Sequence, residues 1–304
     1  MKFLKYIFIL FIVQLSFAQQ DNLFSQYMFN PSLFNPAYTG SRAVNSLYLH
    51  HRSQWVGIDG APSVSYVNYQ SQFPSQKVGY GFSVMTESTG PINKTSVDLD
   101  WSYHIRTGLV GKLAFGIKLS TNNLNVDLSS INQYQDDAQL YANIDRKLVA
   151  NLGLGFFYYT DRFYMGASVP YIYNNKHYDN PLYEAEDWKH LFATIGYVFD
   201  VNPQLKFKPS LFYRSVSTVV QQVDVSANFL LQEKVQFGAS YRFSKAYAVM
   251  TAFQLNPQVL VGYSYDREET ALRAFNKGSH ELFIRYEFGL TKGGKTKLQS
   301  PRFF

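Results

Sequence analysis

The segment TSVDLDWSYHIR, residues 95–106, decides the fold, because apolar and polar side chains alternate at every position from Val97 onward. Successive side chains of a β-strand point to opposite faces of the sheet. One face of this strand therefore carries valine, leucine, tryptophan, tyrosine and isoleucine, and the other carries two aspartates, a serine, a histidine and an arginine. The pattern predicts a strand that separates an apolar from a wet environment.

Similar alternation recurs along most of the chain. A soluble β-sandwich also alternates, but these segments are longer than most sandwich strands. They are long enough for a tilted strand to cross a bilayer, which takes about 9–11 residues. The predicted strands lie near residues 45–54, 62–73, 77–87, 92–106, 110–120, 149–160, 162–170, 187–199, 204–214, 220–231, 233–243, 245–254, 257–266 and 279–290.

The connections between these segments differ in length in a regular way, since all the long ones are odd-numbered. Outer-membrane barrels have long loops outside the cell and short turns in the periplasm. A sheet with open edges is too costly in lipid. We therefore predict an all-β fold, a closed transmembrane antiparallel β-barrel of about 14 strands. Its long connections are predicted at residues 55–61, 121–148, 171–186 and 267–278.

Composition agrees with a membrane barrel. Aromatic residues make up 17 % of the chain and charged residues only 16 %, as expected for aromatic girdles at both membrane interfaces. There is no cysteine, so the fold does not depend on disulfides. The formal net charge of +6 comes from the two ends of the chain rather than from a patch that would bind nucleic acid, and no nucleic-acid partner is predicted.

Four parts are predicted along the chain. Residues 1–18 have two lysines, a short apolar core and small residues before Ala18, as in a secretory signal peptide cleaved after Ala18. Residues 19–44 form an N-terminal segment, residues 45–290 the outer-membrane barrel, and residues 291–304 a basic periplasmic tail. The barrel strands are even in number, so we expect the chain to enter and leave the barrel on its periplasmic side.

The N-terminal segment is unusually aromatic for a leader into the first strand. It contains Phe24, Tyr27, Phe29, Phe34 and Tyr38, and two Asn-Pro pairs interrupt it. Burial of these rings favours a plug inside the lumen. A flexible periplasmic arm is the alternative.

Three motifs carry a resemblance to a known family. They are DNLFSQYMFN at residues 21–30 with NPAYTG at 35–40, HRSQWVGIDGAP at 51–62, and SPRFF at 300–304. With these motifs the mature chain resembles the PorP/SprF family of outer-membrane proteins of the type IX secretion system and gliding motility. The resemblance implies outer-membrane lipid, a secreted surface adhesin as cargo and periplasmic components of the secretion machinery as partners.

The resemblance also implies a non-enzymatic role in the secretion and surface attachment of large adhesin-like proteins. A diffusion channel for small or hydrophobic solutes is the alternative. No catalytic motif, cofactor site or metal site is predicted. The loop that begins at Trp55 is expected at the outer end of the barrel, where it either contacts a partner or packs into the barrel mouth. The candidate partner-binding residues are Phe24, Gln26, Tyr27, Asn30, Asn35, Pro36, Arg52, Gln54, Trp55, Gly57, Gly60, Arg302 and Phe304.

Overall fold

The computed structural model describes residues 24–75, 77–127, 144–173, 189–216 and 220–289. Within these ranges the chain forms fifteen β-strands of a single antiparallel sheet. The strands are β1 Asn45–Ser53, β2 Ser63–Gln72, β3 Val78–Thr89, β4 Ile92–Thr107, β5 Gly111–Val126, β6 Ile144–Tyr159, β7 Phe163–Val169, β8 His190–Tyr197, β9 Phe199–Asn202, β10 Leu205–Val216, β11 Val220–Leu231, β12 Val235–Arg242, β13 Ala246–Asn256, β14 Val259–Glu268 and β15 Ser279–Phe288.

The sheet closes on itself. The last strand, β15, pairs with β1 from Asn45 opposite Phe288 to Ser53 opposite His280. Strands β8 and β9 pair with successive parts of β10 and are separated by Val198 alone, so they replace the single strand predicted at 187–199. The result is a closed barrel with fourteen positions around its circumference, which confirms the predicted fold.

The two faces of each strand are those predicted from the alternation. On β4, Asp100 has no solvent-exposed surface and Asp98 is buried, whereas Leu99 and Trp101 between and beside them are 40 % and 41 % exposed. The polar face thus lines the lumen and the apolar face is turned outward, where lipid surrounds an outer-membrane barrel. A row of phenylalanines stacks across neighbouring strands on the outward face, with ring centroids 4.9 Å apart between Phe207 and Phe229 and 5.2 Å between Phe229 and Phe237.

The two ends of the barrel differ. One end carries the long connections 54–62, 127–143, 170–189 and 269–278, and the other has only short turns. The end with short turns is the periplasmic end in barrels of this kind, and the opposite end is called the outer end below. No helix among the residues described here is both long and apolar enough to span a membrane.

Residues 24–44, named the inner segment, lie inside the barrel. Ser25 is hydrogen-bonded to Glu281, close to the outer end of β15. Thr39 is hydrogen-bonded to Ser102, close to the periplasmic end of β4. The chain therefore runs through the lumen from the outer half to the periplasmic end, where it turns into β1. Entry into β1 from the periplasmic side agrees with the strand count, but a start in the outer half does not follow from it.

Candidate functional site in the barrel lumen

The outer end of the inner segment is held by a buried charged cluster. The backbone N–H groups of Ser25 and Gln26 donate to the two carboxylate oxygens of Glu281, at 2.7 and 3.1 Å. The Ser25 hydroxyl donates to Asp266 Oδ2 at 2.6 Å. Hydrogen bonds to an ionised carboxylate are about twice as strong as neutral ones. This group, with Arg52 and His50 described next, is named the outer anchor.

Arg52, from the HRSQW motif, completes the outer anchor. It is 1 % exposed, and its Nη1 donates to Asp266 Oδ2 at 2.6 Å and to Glu281 Oε1. His50 Nε2 lies 3.3 Å from the other Glu281 oxygen. Arg52 and Glu281 are direct cross-strand partners on β1 and β15. The anchor therefore joins the inner segment to the seam between the first and last strands.

Aromatic rings fill the middle of the lumen. Tyr27 stacks on Phe212 of β10 with ring centroids 4.5 Å apart, and Phe29 packs against Phe283 of β15 at 4.6 Å. The edge of Phe34 meets Phe212 at 5.0 Å. The Tyr27 hydroxyl donates to Ser226 Oγ at 3.3 Å. Aromatic contacts of this kind add about 0.5–1.5 kcal/mol per pair beyond the area that they bury.

A small amide network fixes the depth of the inner segment. Asn30 Nδ2 donates to Asn68 Oδ1 at 3.4 Å, and Gln70 Nε2 donates to Asn30 Oδ1 at 3.3 Å. The Ser32 hydroxyl donates to Asn30 Oδ1 at 2.6 Å. Because Asn68 and Gln70 are inward-facing residues of β2, a shift of the segment along the barrel would break the hydrogen bonds of Asn30 to both of them.

The NPAYTG motif forms a tight turn against the opposite wall. Asn35 caps a single 3₁₀ turn, Pro36–Tyr38, by accepting a hydrogen bond from Ala37 N at 3.0 Å. Its Nδ2 donates to the backbone oxygen of Phe156 at 3.0 Å. The hydroxyl of Ser102 donates to Thr39 O at 2.6 Å. The motif is thus bound to strands of the wall through its own backbone and one amide side chain.

Glycines in the wall make this close contact possible. A Cβ at Gly116 would lie 2.2 Å from Ala37 N, and one at Gly155 would lie 2.3 Å from Asn35 Oδ1. A Cβ at Gly79 would lie 2.3 Å from Thr39 O. A glycine within a strand often marks such an approach of another backbone. Together with Gly81 and Gly166, these residues form what we name the glycine floor.

The inner segment leaves the lumen beside a second charged group. Arg42 Nη2 lies 2.5 Å from Glu287 Oε1, and Arg285 Nε lies 3.4 Å from the same oxygen. Arg285 Nη1 also donates to the backbone oxygen of Phe29 at 3.3 Å. Strand β15 therefore contacts the inner segment near both of its ends, through Glu281 and through Arg285 and Glu287.

The loop after β1 lies at the outer end, as predicted. Gly57 and Gly60 have φ of +103° and +70°, which L side chains rarely adopt. Val56 exchanges backbone hydrogen bonds with the loop before β15, since its N–H donates to Gly278 O and its carbonyl accepts from Lys277 N. Gln54 is buried and Trp55 half-buried, so this loop packs partly into the barrel mouth. Contact of its exposed part with a partner stays a prediction.

The predicted site residues fall into three groups. The structure brings together Phe24, Gln26, Tyr27, Asn30, Asn35, Pro36 and Arg52 inside the lumen. Gln54, Trp55, Gly57 and Gly60 lie at the barrel mouth. Arg302 and Phe304, with the whole predicted tail, lie outside the described residues, as do the predicted signal peptide and residues 19–23.

Sequence reasoning missed the partners that the wall supplies. Glu281 and Asp266 lie more than 200 residues from Arg52, and an alternation pattern does not give the register between the first and last strands that brings these side chains together. The glycine floor could have been predicted from the sequence, because isolated glycines inside predicted strands indicate that another backbone approaches closely. Among the described residues, no three or more histidine, aspartate or glutamate side chains are grouped so that they could hold a metal ion.

Comparison with known proteins gives a family. A sequence profile of the type IX secretion system membrane protein PorP/SprF matches residues 16–286. No curated protein matches the sequence. Similar solved structures include outer membrane protein Omp33 of Acinetobacter baumannii, 11 % identical, with 81 % of this chain and 100 % of that one covered and a TM-score of 0.49. The KdgM porin is 12 % identical, with 80 % and 99 % covered and a TM-score of 0.41.

Proposed function

Because the chain belongs to the PorP/SprF family of type IX secretion system membrane proteins, we propose that this outer-membrane barrel is a non-enzymatic adaptor. In this role it supports the secretion and surface attachment of large adhesin-like proteins and contacts periplasmic components of the machinery. The finding that supports an adaptor most directly is the inner segment, which occupies the lumen from the outer anchor to the glycine floor.

The occupied lumen bears on the alternative function. A diffusion channel needs a continuous aqueous path, whereas here buried aromatic rings lie across the middle of the lumen. An adaptor needs only a rigid barrel in the membrane and accessible ends. The loop of Trp55, Gly57 and Gly60 is our candidate for contact with cargo at the outer end. The basic tail with Arg302 and Phe304 is our candidate for contact with the periplasmic machinery.

The adaptor proposal is tested by removing the gene and measuring proteins on intact cells. We expect one or a few large surface proteins to be lost from the cell surface, while bulk outer-membrane proteins stay unchanged. Re-expression of the wild-type chain should restore them. Normal amounts of all surface proteins, together with impaired uptake of small solutes, would contradict the adaptor and support the channel.

The purified barrel provides an independent test of the same choice. In planar bilayers we expect the wild-type protein to show no steady open pore. A large and steady conductance would indicate a channel, whatever the effect of the deletion on surface proteins.

A further inference from the structure

We propose that the luminal wall formed by β4 and β5 binds an alkali cation, with Asp98 and Asp100 as its charged ligands. This cation site lies apart from the outer anchor and borders the glycine floor, because Asp100 is the cross-strand neighbour of Gly81. The inference does not depend on the adaptor function.

The first observation is a charge that the described residues leave unbalanced. Lys118 Nζ lies 2.9 Å from Asp98 Oδ2 and 3.4 Å from Asp100 Oδ1. Two carboxylates therefore share one ammonium group, and this group of three side chains has a net charge of −1. Asp100 and Lys118 are both fully buried. Taking an uncompensated charge out of water is costly, so a further positive charge, or a proton on one carboxylate, would stabilise this group.

The second observation is a set of buried oxygen atoms that have no hydrogen-bond partner. They belong to the two aspartates and to three further residues that face the lumen next to them. Asp98 lies directly across from Ser120, and Ser96 directly across from Asn122. The atoms with neither a hydrogen bond nor an ion pair are Ser96 Oγ, Asp98 Oδ1, Asp100 Oδ2, Ser120 Oγ and Asn122 Oδ1. Buried polar atoms nearly always have a partner, so the five oxygen atoms on this patch of wall are available to a bound cation or to ordered water.

The chemistry of the patch selects the ligand. Carboxylate, hydroxyl and amide oxygens without nitrogen or sulfur are typical of hard cations rather than of transition metals. A single positive charge neutralises the group, whereas a divalent ion would leave it positive. A proton on Asp100 could also remove the charge, but binding of a proton would not depend on which salt is present. Water alone would satisfy the oxygens but not the charge.

The site is tested first on the purified wild-type barrel. We would measure the temperature at which the folded band is lost on a gel, in NaCl, KCl and N-methyl-D-glucamine chloride at equal ionic strength. A cation that binds only the folded state stabilises it, so we expect NaCl or KCl to raise this temperature by about 2–4 °C over the organic cation. Equal temperatures in all three salts would overturn the proposal.

Two variants locate the effect. Asp100→Asn keeps the shape of the side chain and should abolish the difference between the salts. Asp224→Asn is the matched control, because Asp224 is a buried luminal carboxylate that is bound by Arg242 at 3.2 Å, and it should keep the difference. A salt effect that is the same in both variants would overturn the proposed position.

A structural measurement does not depend on any variant. Crystals of the wild-type protein grown in a rubidium salt should show an anomalous peak between Asp98, Asp100 and Ser120. Ordered water without anomalous signal at that position would overturn the proposal.

Discussion

Arg52 and Glu281 show how much a single buried pair contributes at the scale of residues. Both side chains are 1 % exposed, and the same carboxylate also accepts two backbone N–H groups of the inner segment. Removing one partner of a buried pair leaves the other charge without compensation, which costs about 3–5 kcal/mol. An exposed pair contributes about 0–1 kcal/mol. Burial therefore decides which of the ion pairs matter for stability.

We predict that Glu281→Gln lowers the free energy of unfolding by about 3 kcal/mol or more, because Arg52 then keeps only Asp266 as a charged partner. The measurement is urea-induced unfolding in lipid vesicles. Asp200→Asn is the control, since Asp200 forms an exposed ion pair with Arg162. The Arg162 side chain is 54 % exposed and the Asp200 side chain is 38 % exposed. Equal losses in the two variants would contradict the buried anchor.

We predict that Gly116→Ala displaces the NPAYTG turn, because the new Cβ would lie 2.2 Å from Ala37 N and 2.4 Å from the carbonyl carbon of Pro36. Both contacts are with backbone atoms, so the clash cannot be relieved by the movement of a side chain and the turn itself must shift. A cysteine introduced at Tyr38, which is 4 % exposed, should react with a thiol reagent faster in this background.

Gly238→Ala is the matched control for the glycine floor. Its Cβ would meet Asn228 on the neighbouring strand instead of the inner segment, and the introduced cysteine should react as slowly as in the otherwise wild-type chain. Equal reaction rates in the Gly116 and Gly238 backgrounds would show that the floor does not hold the turn.

At the scale of elements, strand alternation predicted most boundaries closely but underestimated β5 and β6. The pattern placed their ends at residues 120 and 149, whereas the strands continue to Val126 and begin at Ile144. In this stretch Asn123 pairs with Leu148 and Asn122 with Val149. Beyond the lipid the outward face no longer has to be apolar, so alternation stops although the backbone ladder continues. The hydrophobic pattern therefore shows which part of a strand lies in the membrane, whereas the backbone hydrogen bonds show where the strand begins and ends.

The assignment of outward and luminal faces to the strands can be tested by introducing arginine, first on the outward face of β15. Ile284 lies near its middle and is 39 % exposed on the side turned to lipid. We predict that Ile284→Arg costs about 2–4 kcal/mol of unfolding free energy, and that Phe237→Arg, in the phenylalanine row near the periplasmic end, costs less. Ser240→Arg, which faces the lumen, should be tolerated. Equal damage in all three variants, measured in vesicles, would contradict the assignment of the faces.

At the scale of the molecule, sequence established a barrel, its approximate strand number and an aromatic segment suited to the lumen. It did not establish the path of that segment. The direction follows from the partners of Ser25 and Thr39, which lie on β15 and β4. No local pattern in residues 24–44 encodes those positions on the wall. The barrel could thus be predicted from periodicity, whereas the path of the inner segment through the lumen depends on contacts between residues far apart in sequence.

The barrel and its inner segment are joined by side chains rather than by the sheet. Every ladder around the circumference, including the closing pair β15 and β1, forms among the fifteen strands alone. The inner segment contributes single turns, aromatic packing and hydrogen bonds to the wall. Closure of the barrel and occupation of its lumen are therefore separable, and the segment can be altered without removing a strand.

We predict that replacing residues 24–40 with a glycine-serine linker of equal length leaves a folded barrel and opens a conducting pore. The gel shift on heating reports folding, and planar bilayers report conductance, which should be steady in this variant and absent from the wild type. The linker keeps the distance to β1 but lacks the rings that pack on Phe212 and Phe283. A folded barrel without conductance would show that other parts of the chain close the lumen. Loss of the folded band would show instead that the segment, which contacts β15 at Glu281 and Arg285, is needed to bring the last strand to the first.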